Sequence, residues 1–161
     1  MIPLRDLTFI RFSDLSAPGL VLPCGDYATG HFLVVQYEGG LLAVSLDEKW
    51  EYEVVECAEA DQWRGAYVTG VEIRVDPRSI YSLDGIMPFR GSLVLGGDAV
   101  MVAAKPKGPF GFHRPILLPV GEMGSADHTV DSIGIAKWEV GKVIDGVFVP
   151  LHRVEAKPLK T

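Results

Sequence analysis

The sequence predicts an all-β chain: a single antiparallel barrel or sandwich of about ten short strands, with at most one short helix. Three observations predict it. Apolar residues recur with a period of two rather than 3.6. Glycine and proline are abundant, 18 and 11 of 161 residues, and they fall between apolar runs, where turns need them. Helix formers gather in one stretch, Glu56 to Trp63, which has no strong cap and ends at Gly65, so a short helix or a loop is expected there.

The elements follow in order. Leu7 to Phe12, His31 to Tyr37, Leu41 to Leu46, Ala99 to Ala103 and Val147 to Leu151 are rich in Val, Phe, Ile and Tyr and apolar at nearly every position. They read as strands covered on both faces, or as strands lying against a partner. Trp50–Val54 and Val71–Asp76 instead alternate apolar with charged residues, as half-solvated strands do. Asp145-Gly146, Gly39-Gly40 and Gly96-Gly97 separate apolar runs and predict hairpins, Asp-Gly being suited to the positive φ of a type I′ turn. Asp84-Gly85 is a fourth candidate, with Pro88 close behind. Asp76-Pro77 starts a turn, because proline cannot donate to a ladder. Lys105 to Gly124, with four prolines, reads as a long excursion from a sheet. The segments Leu20–Asp26 and Leu93–Asp98 echo each other as an apolar strand running into a Gly-Asp turn. Residues 1–154 are expected to form one β domain, and 155–161 a loose polar tail.

Bulk properties narrow the function classes. Fifteen Lys and Arg against 21 Asp and Glu give a net charge of −6, and 48% of residues are hydrophobic. That composition excludes wholesale disorder and argues against nucleic acid as a large polyanionic partner. Leu93 to Ala104 is too short for a membrane helix and holds Asp98. No secretory signal pattern opens the chain, so the expected location is the cytoplasm. Cys24 and Cys57 form no C-x-x-C pair and are expected to be free and buried. Neither has a basic sequence neighbour to activate it.

Phosphate-loop, zinc-protease, EF-hand, nucleophile-elbow and dinucleotide motifs are absent. No cofactor and no metal site is expected. Of the four histidines, His31 and His152 sit in or beside apolar strands and read as structural. His128 lies in Ser125-Ala126-Asp127-His128-Thr129-Val130-Asp131, which reads as a polar loop.

The dense basic patch is Lys105-Pro106-Lys107-Gly108-Pro109-Phe110-Gly111-Phe112-His113-Arg114. Cations interleaved with rings suit an anion or a stacked base, so Lys105, Lys107, Phe110, Phe112, His113 and Arg114 are the candidate binding residues. Lys107 to Phe112 resembles the first ribonucleoprotein motif of RNA-recognition and cold-shock domains. It departs from that motif at Pro109, an extra residue that would break the strand, and at His113, where a β-branched residue belongs.

The leading functional expectation is a non-catalytic β module that binds a small anionic ligand or a protein partner and self-associates. Its strands are apolar on both faces, and one small sheet cannot hide them all. The alternative is a small β-barrel enzyme using His113 or His128 with Asp127 or Asp131 as an acid–base pair, and Arg114 or Lys107 on an anionic substrate. Single-stranded nucleic-acid binding through Phe110 and Phe112 is the weaker alternative.

Overall fold

The computed structural model describes residues 1–24, 30–96, 99–106, 115–120 and 132–158. Fourteen strands run through them: β1 (Thr8–Arg11), β2 (Gly19–Cys24), β3 (Phe32–Tyr37), β4 (Gly40–Ser45), β5 (Val54–Glu56), β6 (Arg64–Val68), β7 (Glu72–Val75), β8 (Ile80–Ser82), β9 (Leu93–Gly96), β10 (Ala99–Ala104), β11 (Ile116–Pro119), β12 (Ile133–Ile135), β13 (Lys137–Ile144) and β14 (Val147–Glu155). The count exceeds the expected ten because several are only three residues long. No α-helix occurs among the described residues. The stretch Glu56–Trp63 yields a single 3-10 turn, Cys57–Glu59.

The strands make three antiparallel sheets. Strands β1-β6-β2-β3-β4-β5 form the first, β11-β10-β9-β12-β8 the second and β14-β13-β7 the third. Each is open, so the architecture is sandwich-like and not a closed barrel.

Of the uniformly apolar runs, β3, β4 and β10 bury both faces within the chain, whereas β1 and β14 do not: as edge strands they leave Phe9 and Val147 67% and 64% exposed. Side chains alternate along a strand, so Leu20, Leu33, Val35 and Val44 enter a main core with Leu93, Val102, Leu118, Ile135, Trp138, Val140 and Val154 from the other two sheets. Their sequence neighbours Val21, Phe32, Val34 and Ala43 point the opposite way, into a second cluster under Phe12, Leu15, Cys57 and Ala60. Phe12, Phe32 and Trp63 pack there at centroid spacings of 5.5 Å. The second sheet repeats the device on a smaller scale, with Val94, Met101 and Ala103 on its far face. Each fully buried Val or Leu contributes roughly 1.5–3 kcal/mol. Trp138 is buried with its polar atom satisfied, Nε1 donating to the Gly91 carbonyl at 2.7 Å.

Turn chemistry fixes the registers. Asp145 and Gly146, at φ 51° and 77°, join β13 to β14 with Ile144 opposite Val147, the expected type I′ hairpin. In the β3–β4 hairpin Tyr37 faces Gly40. The turn pair is therefore Glu38-Gly39, at φ 49° and 79°, one residue earlier than Gly39-Gly40. Strands β9 and β10 pair as expected, although Gly97 and Asp98 lie outside the described residues. Asp84-Gly85 forms a turn but no hairpin, since β8 pairs with β12. Part of the Lys105–Gly124 excursion returns as β11 along β10.

Two expectations are corrected. Trp50–Val54 is not a strand from its start, because Glu51 and Tyr52 adopt left-handed backbone at φ 54° and 60° and β5 begins only at Val54. Cys24 is exposed, while Cys57 is buried. The last strand runs to Glu155. Beyond it Ala156 is buried, with its N–H donating to the Ala136 carbonyl at 2.8 Å.

Candidate functional site

Of the candidate binding residues, Lys105 alone falls among the described residues; Lys107, Phe110, Phe112, His113 and Arg114 lie outside them. So do Asp127, His128 and Asp131. Lys105 Nζ donates to Glu51 Oε2 at 2.7 Å, and Arg90 Nη1 lies 3.4 Å from the same oxygen. The Lys105 hydrogen bond, and then its charge, hold the Glu51 carboxyl below the usual carboxylate range. The network braces a strained turn. The ring of buried Tyr52 lies directly over Gly91, at φ 85°, where a Cβ would collide with it.

His31 and His152, 121 residues apart, meet. Their Nδ1 atoms are 2.9 Å apart, and His152 Nε2 lies 2.9 Å from the Leu46 carbonyl. A carbonyl only accepts, so His152 Nε2 carries the proton. In the neutral ring, which burial favours, His152 Nδ1 is a lone pair, and His31 Nδ1–H donates to it. That assignment requires a neutral His152, and the Nδ1–Nδ1 bond is lost when both rings are charged. Burial lowers both pKa values, and His152 lowers that of His31 further. Asp47 pulls both the other way without hydrogen bonding to either ring. The pair ties β14 to the ends of β3 and β4. No cluster of three or more metal-ligating side chains occurs among the described residues.

Two grooves are described. The larger, of about 620 Å³, overlies the third sheet and is lined by Arg74, Arg78, Lys137 and Arg153 with Asp76, Glu139 and Glu155. The register places these charges in two cross-strand rows, Arg74–Glu139–Arg153 and Asp76–Lys137–Glu155. Opposite charges facing across strands stabilise a sheet. Arg153 pairs with Glu139 at 3.0 Å, Lys137 with Glu155 at 3.4 Å, and Arg78 with Asp76 at 3.2 Å. Arg74 lies 4.1 Å over the Phe148 ring. These cations are spent on internal partners. The smaller groove, of about 390 Å³, has an apolar floor at Leu41, Leu42 and Val54 and the carboxylates of Glu38 and Glu56, which repel anions.

Other cations are also committed. Lys142 pairs with Asp6 at 3.6 Å and Lys157 with Glu48 at 3.3 Å, while Lys49 lies 5.9 Å over Trp50. Among the described residues Arg5, Arg11 and Arg64 hold no acidic partner. Arg5 sits apart in the first 3-10 turn, but Arg11 and Arg64 are directly opposite on β1 and β6. Phe12 N donates to the Trp63 carbonyl in the next pair, which puts the two arginines at a non-hydrogen-bonded position, where facing side chains are closest. Both are exposed. Like charges placed so are destabilising, and an anion between them reverses the sign.

On the other side of β6, Cys24 stands opposite Arg64. The basic neighbour that sequence did not place beside either cysteine is thus supplied across strands. The row Arg11–Arg64–Cys24 is the solvent end of a gradient: Leu20 and Val68 are fully buried, and Leu22, Ala66 and Phe9 lie between. Sequence reading missed this row because its members are 13 and 40 residues apart in the chain. A β6 strand starting at Arg64 was the missing signal.

The chain matches no curated protein and no solved structure. A family model described as uncharacterised protein y4lG matches residues 11–159, and the chain belongs to that family.

Proposed function

We propose that the protein is a non-catalytic β module that binds a small oxyanion, such as a phosphate group, between Arg11 and Arg64. The observation that carries the proposal is the facing of two exposed arginines without acidic partners in a chain of net charge −6. Paired guanidinium groups suit the bidentate geometry of phosphate or carboxylate. An acid–base enzyme is less well supported: neither described groove is lined by a histidine, and neither His31 nor His152 hydrogen-bonds a carboxylate among the described residues.

The experiment is an amide-detected NMR titration with inorganic phosphate at low ionic strength. Residues 9–11 and 64–66 should shift with a Kd on the order of 1 mM, weakening as salt is added. Arg64→Gln and Arg11→Gln should each abolish the shifts, whereas Arg153→Gln should leave them intact. Wild-type protein that shows no shifts at β1 and β6 overturns the proposal.

A further inference from the structure

The geometry points to a ligand that joins its phosphate to a flat apolar ring, the ring lying on a shelf formed by Phe9, Ala66 and Leu22. This inference rests on the arginine-pair reading and narrows its ligand. Phe9 faces Ala66 on β6, and Ala66 faces Leu22 on β2. The three form the row next to Arg11–Arg64–Cys24, on the same face, one pleat repeat away at roughly 6.8 Å. Phe9 is 67% exposed. Its ring takes part in no ring or cation contact among the described residues. Its flank, Ala66, carries only a methyl group, so the row is high at Phe9 and Leu22 and low between them.

Two features distinguish this shelf from ordinary exposed apolar surface. It is continuous with the main core, since Leu22 packs against that cluster, so one wall is anchored. And the adjoining row carries charge of one sign among the described residues, Arg11 and Arg64, so a molecule with an anionic end and a planar end sits one way round. Aromatic stacking beside a phosphate contact is a recurrent recognition pairing.

The test compares phenyl phosphate with methyl phosphate, which share the monoester headgroup and differ in the ring. Titrations on the full chain should show phenyl phosphate binding about tenfold more tightly. Phe9→Thr should erase the difference while leaving methyl phosphate affinity unchanged. Phe9→Leu, which keeps an apolar side chain on the strand, should erase most of it and serves if the threonine variant does not fold. Equal affinity of the two esters in wild-type protein overturns the ring inference and leaves the anion reading standing, as does a difference that survives in the folded Phe9 variants. Binding of neither ester overturns both.

Discussion

At the scale of single residues, histidine charge is the clearest handle. The His31–His152 hydrogen bond is lost when both rings are charged, and both pKa values are lowered by burial. A lowered histidine pKa means the unfolded chain binds more protons than the folded one between the folded value and about 6.5. The stabilisation is therefore full above about pH 6.5 and is lost as pH falls below it. Urea midpoints should drop from about pH 7.5 to about pH 5.5, and His31→Gln with His152→Gln should flatten that dependence. The two cysteines should separate as sharply. Burial pushes the Cys57 thiol up to about 11, whereas Cys24 is exposed. A thiol reagent should modify one site in the native protein and two in urea. Gly91→Ala would drive a Cβ into the Tyr52 ring at a φ of 85°. Left-handed strain and overpacking together should cost about 2–4 kcal/mol in denaturant unfolding. Residue type alone announced none of these environments. His31 and His152 read correctly as structural, but their partnership depends on which strands close together, and the cationic character around Cys24 arises across β6.

At the scale of elements, local chemistry was legible wherever it acts through the backbone. Asp145-Gly146 reads as a type I′ turn from its two residues, because only residues tolerant of positive φ fit both positions. The β3–β4 turn is displaced by one residue, to Glu38-Gly39, which sets Val35 opposite Leu42 and Leu33 opposite Val44; the Gly39-Gly40 register would keep the same residues on each face, so alternation alone could not choose between the two. Glu38 then sits at φ 49°, where asparagine is better tolerated. Glu38→Asn should stabilise the protein by about 0.5–1 kcal/mol, seen as a raised urea midpoint at unchanged slope. Trp50–Glu53 misled for the opposite reason. Its alternation imitates a strand, while Asp47, whose side chain accepts from the Lys49 N–H at 2.9 Å, begins a tight 3-10 turn. Edge β14 shows how a long edge strand is kept from extending. In the hairpin register Val149 pairs with Lys142 and Pro150 follows it, so proline occupies a position whose N–H would otherwise point outward.

At the scale of the whole molecule, doubly apolar strands suggested that a second copy must cover one face. The second and third clusters, roofed by Phe12, Leu15, Cys57 and Ala60 in one case and edged by Leu83 and Leu117 in the other, supply an internal cover. Periodicity cannot distinguish cover by another chain from cover by the same chain, and this is why the class of fold was legible and its packing was not. Self-association is then a proposal about the remaining surface, where Ile80, Ile86 and Met87 are 46%, 53% and 46% exposed near edge strand β8. Light scattering at low micromolar concentration should report a multiple of 17.5 kDa, and the single-chain mass would withdraw it. The division of strands between sheets has a further consequence. All six strands of the first sheet come from Thr8–Val68, and the covers of its main-core face come from Val71 onward, the fully buried ones from Leu93. During synthesis that sheet can finish its pairing while most of the residues that must dry Leu20, Leu33, Val35 and Val44 do not yet exist, an interval of roughly 4–17 s at ordinary ribosomal speed. The nascent chain therefore passes through a half-built stage whose wet, greasy flank is open to chaperones, and a polypeptide stopped near Gly70 should be captured by them or precipitate.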